Sequence, residues 1–348
     1  MTDYRDHLLS SESTIKEALV KLDHLAKDAI LFIVYADNTL LGSLTDGDVR
    51  RALIKGTSIS ENVEGVIQSN PRFIRKGESN IQKIIEYREG NYRIIPVLDK
   101  FNRVVNVINF RFLKSYLPID AVVMAGGRGE RLKPLTNDTP KPLLKVGEKP
   151  IIEHNIDRLR SFGIDDFWLS VRYLGEQLED YFKDGSHKHI CTEYVWETEP
   201  LGTIGAVSKV KNFKHDYILV TNSDILTNLN YEEFFLNFLE SGADLSVVTI
   251  PYDVPIPYAV METEDNKVIS FKEKPTYTYY SNGGIYLMKK EVLKLIPKDK
   301  FYNATDLMEA LIEKNFLVHS YPLRGYWLDI GKHDDFAKAQ KDINKVNF

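Results

Sequence analysis

The sequence predicts an α/β protein in which a mixed but mostly parallel sheet is flanked by helices and preceded by a smaller domain. Three observations support this fold class. From residue 120 onward apolar strands alternate with amphipathic helices, which is typical of a sheet covered on both faces. Before residue 117 a unit of helix, strand, strand and helix occurs twice, and 348 residues suffice for two domains. We therefore predict domains at residues 1–117 and 118–348.

The elements of the first domain follow from turn residues and hydrophobic periodicity. Thr14 and Glu17 have the spacing of a capping box at the start of the first helix. Each copy of the unit is a helix, two strands and a helix. In the first copy these elements lie at residues 15–25, 29–35, 40–45 and 46–55. In the second copy they lie at 81–89, 93–98 and 103–109, followed by a short helix that ends at Tyr116. The copies lie about 65 residues apart, longer than a solenoid period, so we expect one folded pair.

The second domain begins as strand–helix alternation and ends in antiparallel strands. Its first strands are predicted at 121–124, 166–171, 192–197, 217–224 and 244–250, with helices at 151–162, 175–182, after Gly202, and at 231–241. Antiparallel strands at 259–263, 267–275 and 283–288 join the sheet, followed by a helix at 305–314, a strand at 317–323 and a last helix from residue 333 to about 344.

Composition excludes several classes of protein. Apolar residues make up 43% and charged residues 27%, as in ordinary globular proteins. A net charge of −5 without a basic run argues against a nucleic-acid partner. The single cysteine, Cys191, excludes an intrachain disulfide and a cysteine-rich zinc site. Because we find neither a signal-peptide pattern nor an apolar run of about 20 residues, we expect a soluble cytoplasmic protein with no membrane partner.

A glycine-rich loop with two cationic side chains follows the first strand of the second domain. Gly126, Gly127 and Gly129 let the backbone turn sharply, and successive N–H groups in such a loop converge on an anion. Arg131 and Lys141 add positive charge. The spacing is neither that of a P-loop nor that of a dinucleotide-binding fold. This pattern indicates a site for a nucleoside triphosphate.

Two aspartates stand where ligands of such sheets collect. Asp224 ends an apolar strand, and Asp329 follows the aromatic pair Tyr326-Trp327. Together with the phosphate loop they make a plausible pair of oxygen ligands for Mg²⁺, which favours carboxylates plus substrate phosphates. Each aspartate alone is more typical of a helix cap or a solvated turn.

The segment AGGRGERLKPLT, followed by PKPLL, resembles the signature of the sugar-1-phosphate nucleotidyltransferases, and further motifs in family order extend the resemblance to about residue 338. The resemblance implies a Rossmann-like, GT-A-like fold and attack by a sugar 1-phosphate on the α-phosphorus of an NTP, with pyrophosphate leaving. It implies Mg²⁺ held by the two aspartates, and catalytic roles for Arg131, Lys141, Asp224 and Asp329. It also implies nucleotide binding by Ala125, Gly126, Gly127, Arg128 and Gly129.

Three further motifs resemble the sugar-phosphate site of that family. EPLGTIGAV is similar to the segment whose glycine, Gly202, lies against the sugar. FKEKP supplies Glu273 for sugar hydroxyls and Lys274 for the sugar phosphate. SNGGIYL places Asn282 near the sugar, and Gly283 where the backbone passes closely.

Glu197 bears on the identity of the base. It ends a predicted strand where thymidylyl- and uridylyltransferases of the family often carry a glutamine. A carboxylate offers only acceptors, which suit the N1–H and N2–H donors of guanine and repel the carbonyl oxygens of thymine or uracil. This favours GTP over CTP or UTP. The alternative, that Glu197 is simply a solvent-exposed strand end, remains open.

The duplicated half resembles a pair of CBS motifs, which are nucleotide-sensing modules. In the family's G-x-x-T-x-x-D pattern, Thr45 would meet a phosphate and Asp48 the ribose hydroxyls of a regulatory nucleotide. The second copy has Asn109 and Phe112 at these positions, so we expect at most one nucleotide site. Two alternatives remain open: a purely structural or oligomerising module, and a helix N-cap formed by Thr45 and Asp48.

The combination resembles a subgroup of bacterial enzymes, and is closest to the glucosamine-1-phosphate guanylyltransferases of legionaminic acid synthesis. The leading hypothesis is a homo-oligomer that transfers GMP from GTP to glucosamine 1-phosphate or a related hexose 1-phosphate. Mannose- or heptose-1-phosphate guanylyl transfer, and uridylyl, cytidylyl or thymidylyl transfer, are alternatives. A catalytically silent regulatory protein is disfavoured because the charged site residues are retained. A glycosyltransferase is disfavoured because Asn222-Ser223-Asp224 lacks the first carboxylate of a D-x-D motif.

Overall fold

The computed structural model describes residues 3–78 and 80–346, which fall into two compact units. The first unit comprises the chain up to residue 118 together with residues 159–165. The second comprises residues 119–158 and the chain from residue 166 onward. Short 3-10 helices occur at Tyr4–His7, Ala26–Asp28, Val63–Val66, Glu130–Leu132, Lys141–Leu143, Ser186–Lys188, Gly205–Lys209 and Lys290–Leu295.

The first unit contains two three-stranded sheets with the same pairing. Its elements are β1 (Leu8–Ser10), α1 (Ile15–Leu25), β2 (Ile30–Val34), β3 (Leu40–Thr45), α2 (Asp46–Ile54), β4 (Ile74–Arg75), α3 (Ile81–Glu89), β5 (Ile94–Leu98) and β6 (Val104–Asn109). In the sheets β1-β2-β3 and β4-β5-β6, the first two strands are parallel and the last two antiparallel. The short first strand of each sheet was absent from the sequence prediction.

Capping explains where the first two helices begin. At α1 the Thr14 N–H and hydroxyl both donate to the Glu17 carboxylate, and the Glu17 N–H donates back to the Thr14 hydroxyl. Thr45 and Asp48 form the same capping box at α2. Both helices contribute to one apolar cluster with β2 and β3, which includes the fully buried Ile15 and Val49.

The short helix predicted to end at Tyr116 does not form. After β6 the chain turns, and then the Lys114 N–H donates to the Ser161 carbonyl and the Leu117 N–H to the Phe162 carbonyl, at 2.6 and 3.0 Å. These donors are therefore engaged by a distant segment and do not bond to the preceding helical turn. Pro118 provides no N–H for a helix to continue.

The second unit is built on a seven-stranded mixed sheet. Its strands are β7 (Ile119–Met124), β8 (Lys145–Val146), β9 (Lys149–Pro150), β10 (Asp166–Val171), β11 (Cys191–Trp196), β12 (Tyr217–Asn222), β13 (Ile225–Thr227), β14 (Leu245–Pro255), β15 (Val260–Glu264), β16 (Lys267–Lys272), β17 (Thr276–Lys289), β18 (Val318–Pro322) and β19 (Trp327–Asp329). The main sheet has the order β11-β10-β7-β12-β17-β14-β18, in which only β17 runs antiparallel to its neighbours. The predicted α/β class, with a mostly parallel mixed sheet, is confirmed.

Helices flank this sheet. They are α4 (Ile151–Ser161), α5 (Gly175–Phe182), α6 (Tyr231–Ser241), α7 (Ala304–Glu313) and α8 (His333–Asp342), of which α4 ends within residues 159–165 of the first unit. The helix predicted after Gly202 is only the 3-10 segment at 205–209, and the N–H groups of Ile204 and Gly205 at its start both donate to the Tyr302 carbonyl. None of the helices among the described residues is long and apolar enough to cross a membrane.

Candidate active site

The carboxyl ends of four parallel strands lie at one edge of the main sheet. Because β7, β10, β11 and β12 run in the same direction, the residues that follow them meet there. They line a cleft of about 260 Å³, whose wall includes Gly126, Gly127, Lys141, Arg172, Glu197, Gly202, Thr203, Asn222 and Asp224. The cleft is the place at which to look for bound substrate.

The glycine loop forms one wall of this cleft and packs closely on the lysine stem. Gly129 has φ +64°, and a Cβ added there would lie 2.9 Å from Thr136 Cγ2 and 3.0 Å from Lys141 Cβ. Thr136 fixes the loop by donating its hydroxyl to the Gly129 carbonyl at 2.9 Å. The left-handed backbone and the close approach together require glycine at this position.

The two predicted metal-binding aspartates lie side by side. Asp224 sits in the turn between β12 and β13, and Asp329 ends β19, which pairs antiparallel with β13 so that Ile225 is opposite Asp329. The Ile330 N–H donates to the Asp224 carbonyl at 3.0 Å. Neither carboxylate caps a helix, so the alternative as helix caps is wrong. The missed strands β13 and β19 are what bring the pair together.

The two predicted cations lie beside this carboxylate pair. The Lys141 ammonium forms an ion pair with Asp224 Oδ2, and both side chains are mostly buried. The Arg131 guanidinium lies against Gly331, where an added Cβ would be 3.2 Å from its Nη2. All four predicted catalytic side chains are therefore close together in the second unit.

An apolar cluster beneath these four residues explains why they converge. Leu132, Leu144, Leu226, Leu328 and Ile330 are all buried in it, and each is a close chain neighbour of one of the four charged residues. Burying these side chains stabilises the arrangement by roughly 2 kcal/mol each. Of the four charged residues, Lys141 and Asp224 line the cleft and Asp329 lines a smaller cavity.

The surroundings of the Asp329 carboxyl favour a bound cation. Burial, followed by the neighbouring Asp224 charge, raises its pKa, although Lys141 and Arg131 oppose the shift. Its Oδ1 is buried and finds no hydrogen-bond partner within residues 3–78 and 80–346. A buried carboxylate oxygen that lacks a donor, next to a second carboxylate, fits an oxygen-preferring divalent cation.

Glu197 is not a solvent-exposed strand end, so that alternative is wrong. It is 8% exposed, and its two oxygens accept from the Ser170 hydroxyl and from the Leu201 N–H, the latter at 3.0 Å. A Cβ on Gly126 would lie 2.8 Å from Glu197 Oε1. The carboxylate thus joins β10 to the Leu201 segment, lies close to Gly126 and lines the cleft.

The predicted sugar-site residues divide into two groups. Gly202 lines the main cleft, whereas Asn282 and Gly283 line an adjoining cavity of about 200 Å³ together with Asp329. Asn282 accepts from the Gly284 N–H at 2.9 Å and from the Tyr286 hydroxyl at 3.0 Å, which orients it. Asn222 lines both spaces, so the two are neighbours.

The structure does not bring Glu273 and Lys274 to the cleft. Both side chains are exposed, and both residues precede Thr276, the first residue of β17. The strand from Thr276 to Asn282 spans roughly 20 Å at about 3.3 Å per residue, so the pair lies well away from the other sugar-site residues. Their roles in substrate binding stay predictions.

Two residues of the glycine loop are placed less favourably for phosphate binding than their neighbours. The Ala125 N–H donates to the Ser170 carbonyl at 2.8 Å, so the sheet already uses this donor. Arg128 is exposed, with its guanidinium 5.9 Å from the centre of the Tyr173 ring. Gly126 and Gly127 line the cleft directly.

Arg172 is a candidate that the sequence reasoning missed. It follows β10 directly and lines the cleft beside Gly126 and Glu197. Its Nε is buried and lacks a hydrogen-bond partner in the part of the chain that the structure describes. The available signal was its position immediately after a buried strand, the same criterion that singled out Asp224.

A second group of buried ionisable side chains lies at the opposite edge of the sheet. Asp120, Asp166 and His215 are near the amino ends of β7, β10 and β12, and their ligand atoms lie within 4.8 Å of one another, so they could hold a metal ion. Burial raises the pKa of Asp120 to about 6 although the Lys214 and His215 N–H groups donate to it. The Lys214 ammonium pairs with Asp166, which balances one of the two carboxylates.

In the first unit, Thr45 and Asp48 form a helix cap, as one alternative expected. The Thr45 N–H and hydroxyl donate to Asp48 Oδ2 at 2.9 and 2.6 Å. Arg51 and Gln68 donate to Asp48 Oδ1 at 2.5 and 3.0 Å. Burial raises the pKa of Asp48, but these hydrogen bonds outweigh it and hold the pKa below its ordinary value. The capping interpretation is confirmed, and nucleotide binding at these residues stays a prediction.

Comparison with protein families identifies the second unit. A family model described as nucleotidyl transferase matches residues 120–346. The chain belongs to the nucleotidyl transferase family. The family membership that the glycine-loop motif predicted is therefore confirmed at the level of the nucleotidyl transferase family.

Its relatives act on different sugars and nucleotides. A UTP–glucose-1-phosphate uridylyltransferase of Synechocystis is 29% identical over 64% of this chain, and the chain spans 63% of that relative. A D-glycero-alpha-D-manno-heptose 1-phosphate guanylyltransferase of Aneurinibacillus thermoaerophilus is 31% identical, over 65% of this chain and 98% of the relative. The crystal structure of HddC from Yersinia pseudotuberculosis, complexed with GMP-PN, superposes with a TM-score of 0.51 at 26% identity, covering 64% of this chain and 99% of that one. Both named relatives are sugar-1-phosphate nucleotidyltransferases.

Proposed function

We propose that this nucleotidyl transferase joins an NTP to a sugar 1-phosphate and releases pyrophosphate. The observation that carries the proposal is the convergence of Asp224, Asp329, Lys141 and Arg131 beside the glycine loop. Sugar-1-phosphate nucleotidyltransferases are the relatives of this chain. Two polyanions must approach each other in such a reaction. Lys141 and Arg131, together with a cation that the two carboxylates would hold, would supply the positive charge that offsets their repulsion.

Different residues of the site would contact different parts of the substrates. Gly126 and Gly127 border the cleft with backbone N–H groups suited to phosphate oxygens. Arg131 suits bidentate contact with the β- and γ-phosphates, and Lys141 neutralises charge nearer the reacting phosphorus. The nucleophile is an ionised phosphate oxygen, so no general base is required. The protein acts chiefly by positioning and charge stabilisation.

Asp224 and Asp329 would hold Mg²⁺ between them. When bound, the ion would offset the repulsion between the two substrates and the charge that develops on pyrophosphate. The unpartnered Asp329 Oδ1 and the absence of nitrogen or sulfur donors from the pair support a hard, oxygen-preferring cation.

GTP is the proposed nucleotide. Glu197 lines the cleft, and each of its oxygens accepts one internal hydrogen bond and retains acceptor capacity. The guanine N1–H and N2–H donors match a carboxylate, whereas pyrimidine carbonyls oppose it. The Aneurinibacillus relative is a guanylyltransferase, and the HddC crystal holds GMP-PN. Arg172 is placed beside Glu197 to add a donor to the same ligand.

The sugar is proposed to be glucosamine 1-phosphate or a related hexose 1-phosphate, as in the legionaminic acid subgroup; mannose and heptose 1-phosphates are alternatives. Gly202, Asn282 and Gly283 border the space available to it, and Glu273 and Lys274 are further candidates for contact. The first unit is proposed to be a CBS pair that senses a nucleotide through Thr45 and Asp48, within a cytoplasmic homo-oligomer.

Pyrophosphate release tests the proposed reaction. The full chain is assayed with Mg²⁺ against GTP, CTP, UTP and dTTP, each with glucosamine, mannose and glucose 1-phosphates. We expect turnover to be fastest with GTP. Asp224→Asn and Asp329→Asn should each lower kcat by about 100-fold or more, because each removes one of the two carboxylates that would hold the Mg²⁺ ion.

The exposed Asp334 provides the matched control, since Asp334→Asn removes one carboxylate nearby without touching the site. It should retain the parent rate. No pyrophosphate with any pair of substrates, despite measurable nucleotide binding, would instead indicate a regulatory binding protein. Equal loss of activity in the control variant would argue against the assigned role of the aspartate pair.

A further inference from the structure

Residues 251–281, here called the arm, project apolar side chains into solvent. Beyond the main sheet, β14 and β17 continue as a two-stranded ribbon, and the hairpin of β15 and β16 connects them. Large apolar or aromatic side chains of the arm are 54–75% exposed: Tyr252, Tyr258, Met261, Val268, Ile269, Phe271, Tyr279 and Tyr280. Single exposed apolar residues are normal, but eight within one segment form a patch.

The ribbon of β14 and β17 has one apolar and one polar face. Tyr252 is opposite Tyr279, and Val254 is opposite Tyr277, so these four side chains share one face. Asp253 and Thr278 lie between them on the other face, where the Thr278 hydroxyl donates to Asp253 at 2.7 Å. Such alternation is typical of a strand pair with one buried face.

The hairpin of β15 and β16 repeats the pattern. Met261 is opposite Phe271, and the next pair along, Glu262 and Ser270, faces the other way. Glu262 accepts from the Ser270 hydroxyl and lies 3.6 Å from the Lys272 ammonium. Polar pairing is therefore already complete on one face, whereas the apolar face is left uncovered.

The low stability of an isolated two-stranded hairpin indicates that this apolar face is covered in solution. A two-stranded hairpin is at best marginally stable in water unless a hydrophobic face packs against something. Tyr280 is opposite Pro251 and lies on the other face of the ribbon. The seven remaining large side chains present on the order of 900 Å² of surface, if each buries about 200 Å² when fully covered. That area matches the roughly 800 Å² that each partner contributes to a standard stable interface.

We propose that the arm is a dimerisation surface, occupied by the arm of a second copy of this chain. A twofold-symmetric contact requires a patch that is complementary to itself, and an apolar sheet face meets this condition. The arm carries more acidic than basic residues: Asp253, Glu262, Glu264, Asp265 and Glu273 against Lys267, Lys272 and Lys274. This balance opposes binding to an anionic membrane, which attracts basic segments.

The oligomeric mass of the full-length protein tests the proposal. Sedimentation or light scattering at micromolar concentrations should give twice the mass of one chain. The double variants Tyr252→Glu/Tyr279→Glu and Met261→Glu/Phe271→Glu should each raise the dimer dissociation constant by roughly 100-fold or more, because association would bury unpaired carboxylates. Ile312→Glu, at a position 61% exposed on α7, is the control and should leave the mass doubled.

The folded state of each variant is checked by far-UV circular dichroism. A folded single-chain mass for both double variants supports the arm as the interface. A parent protein of single-chain mass overturns the proposal, as does a doubled mass that both double variants retain. Co-sedimentation of a monomeric parent with phosphatidylcholine–phosphatidylglycerol vesicles, lost in the double variants, would also overturn it and assign the arm to lipid.

Discussion

Gly202 adopts a backbone conformation that other residues tolerate poorly, in a place where no side chain fits. Its φ is +77°, and an added Cβ would lie 2.5 Å from the Tyr302 carbonyl oxygen. We predict that Gly202→Ala lowers the free energy of unfolding by about 2 kcal/mol or more, because it combines backbone strain with a clash against main chain. Urea unfolding followed by tryptophan fluorescence measures this change.

A substitution at Gly242 tests backbone strain without the steric clash. It has a similar φ of +68°, but no atom lies within 4 Å of an added Cβ. Gly242→Ala should therefore cost only about 1 kcal/mol, the ordinary penalty for a left-handed alanine. Equal losses at the two positions would mean that the Tyr302 segment yields, and that the close approach at the cleft is not rigid.

Asp120 gives the second unit a pH dependence of unusual sign. Its ordinary pKa of 3.8 rises to about 6 in the folded protein, chiefly because of burial. The folded state therefore binds the Asp120 proton more tightly than the unfolded state does. The stabilisation that this proton contributes is fully present below pH 3.8 and is lost as pH rises toward and through 6. Relative to Asp120→Asn, the parent should lose on the order of 3 kcal/mol between pH 4 and pH 7.5.

Asp244 provides a control of opposite sign. Although burial opposes the shift, hydrogen bonds from the Lys289 ammonium and the Leu317 N–H lower its pKa. The parent should therefore gain stability relative to Asp244→Asn as pH rises from the lowered pKa through the ordinary pKa of an aspartate, and should keep this gain at higher pH. Urea unfolding at several pH values measures both differences. Parallel pH trends for the two asparagine variants would contradict the assigned environments.

At the scale of elements, the cap of α2 can be tested without touching the second unit. Thr45→Ala removes the hydroxyl that accepts from the Asp48 N–H and donates to Asp48 Oδ2. We predict a loss of about 1 kcal/mol of stability in the first unit, and Thr45→Ser should restore most of it. Far-UV circular dichroism during urea unfolding measures the change. If serine fails to rescue, the threonine methyl and not the cap matters.

Elements with strong local signals were predictable from sequence. The bounds predicted for α1, α3, α5 and α6 agree with the structure, because apolar periodicity is strong there and side-chain caps mark the starts of α1, α3 and α6. By contrast, β13 and β19 contain three residues each and carry no detectable periodicity. Their pairing is non-local, and so the sequence alone could not show that it places Asp224 beside Asp329.

Local patterns also failed where distant segments compete for backbone groups. The short helix predicted to end at Tyr116 is absent, because the N–H groups of Lys114 and Leu117 donate to Ser161 and Phe162, far along the chain. The buried state of Glu197 likewise depends on Ser170 and Leu201, one of which lies on a neighbouring strand. Motifs predicted which residues matter at the cleft, whereas tertiary contacts decide what each one can bind.

At the scale of the whole molecule, each of the two units contains an apolar cluster of its own. One is formed by α1, α2, β2 and β3, and another by the central strands of the main sheet with α7. Chains with more than one cooperative unit do not unfold in a single two-state transition. All three tryptophans, Trp168, Trp196 and Trp327, belong to the second unit, so their fluorescence reports on that unit alone, whereas far-UV circular dichroism reports on both.

This difference between probes yields the final prediction. Thr45→Ala should shift the circular dichroism transition to lower urea and leave the tryptophan fluorescence midpoint unchanged. Gly202→Ala should shift the fluorescence midpoint, since its clash with Tyr302 lies in the second unit. This selectivity is the expected result because each substitution lies in one unit and acts on the cooperative unit that contains it. Coincident shifts of both probes in both variants would show that the molecule unfolds as one unit.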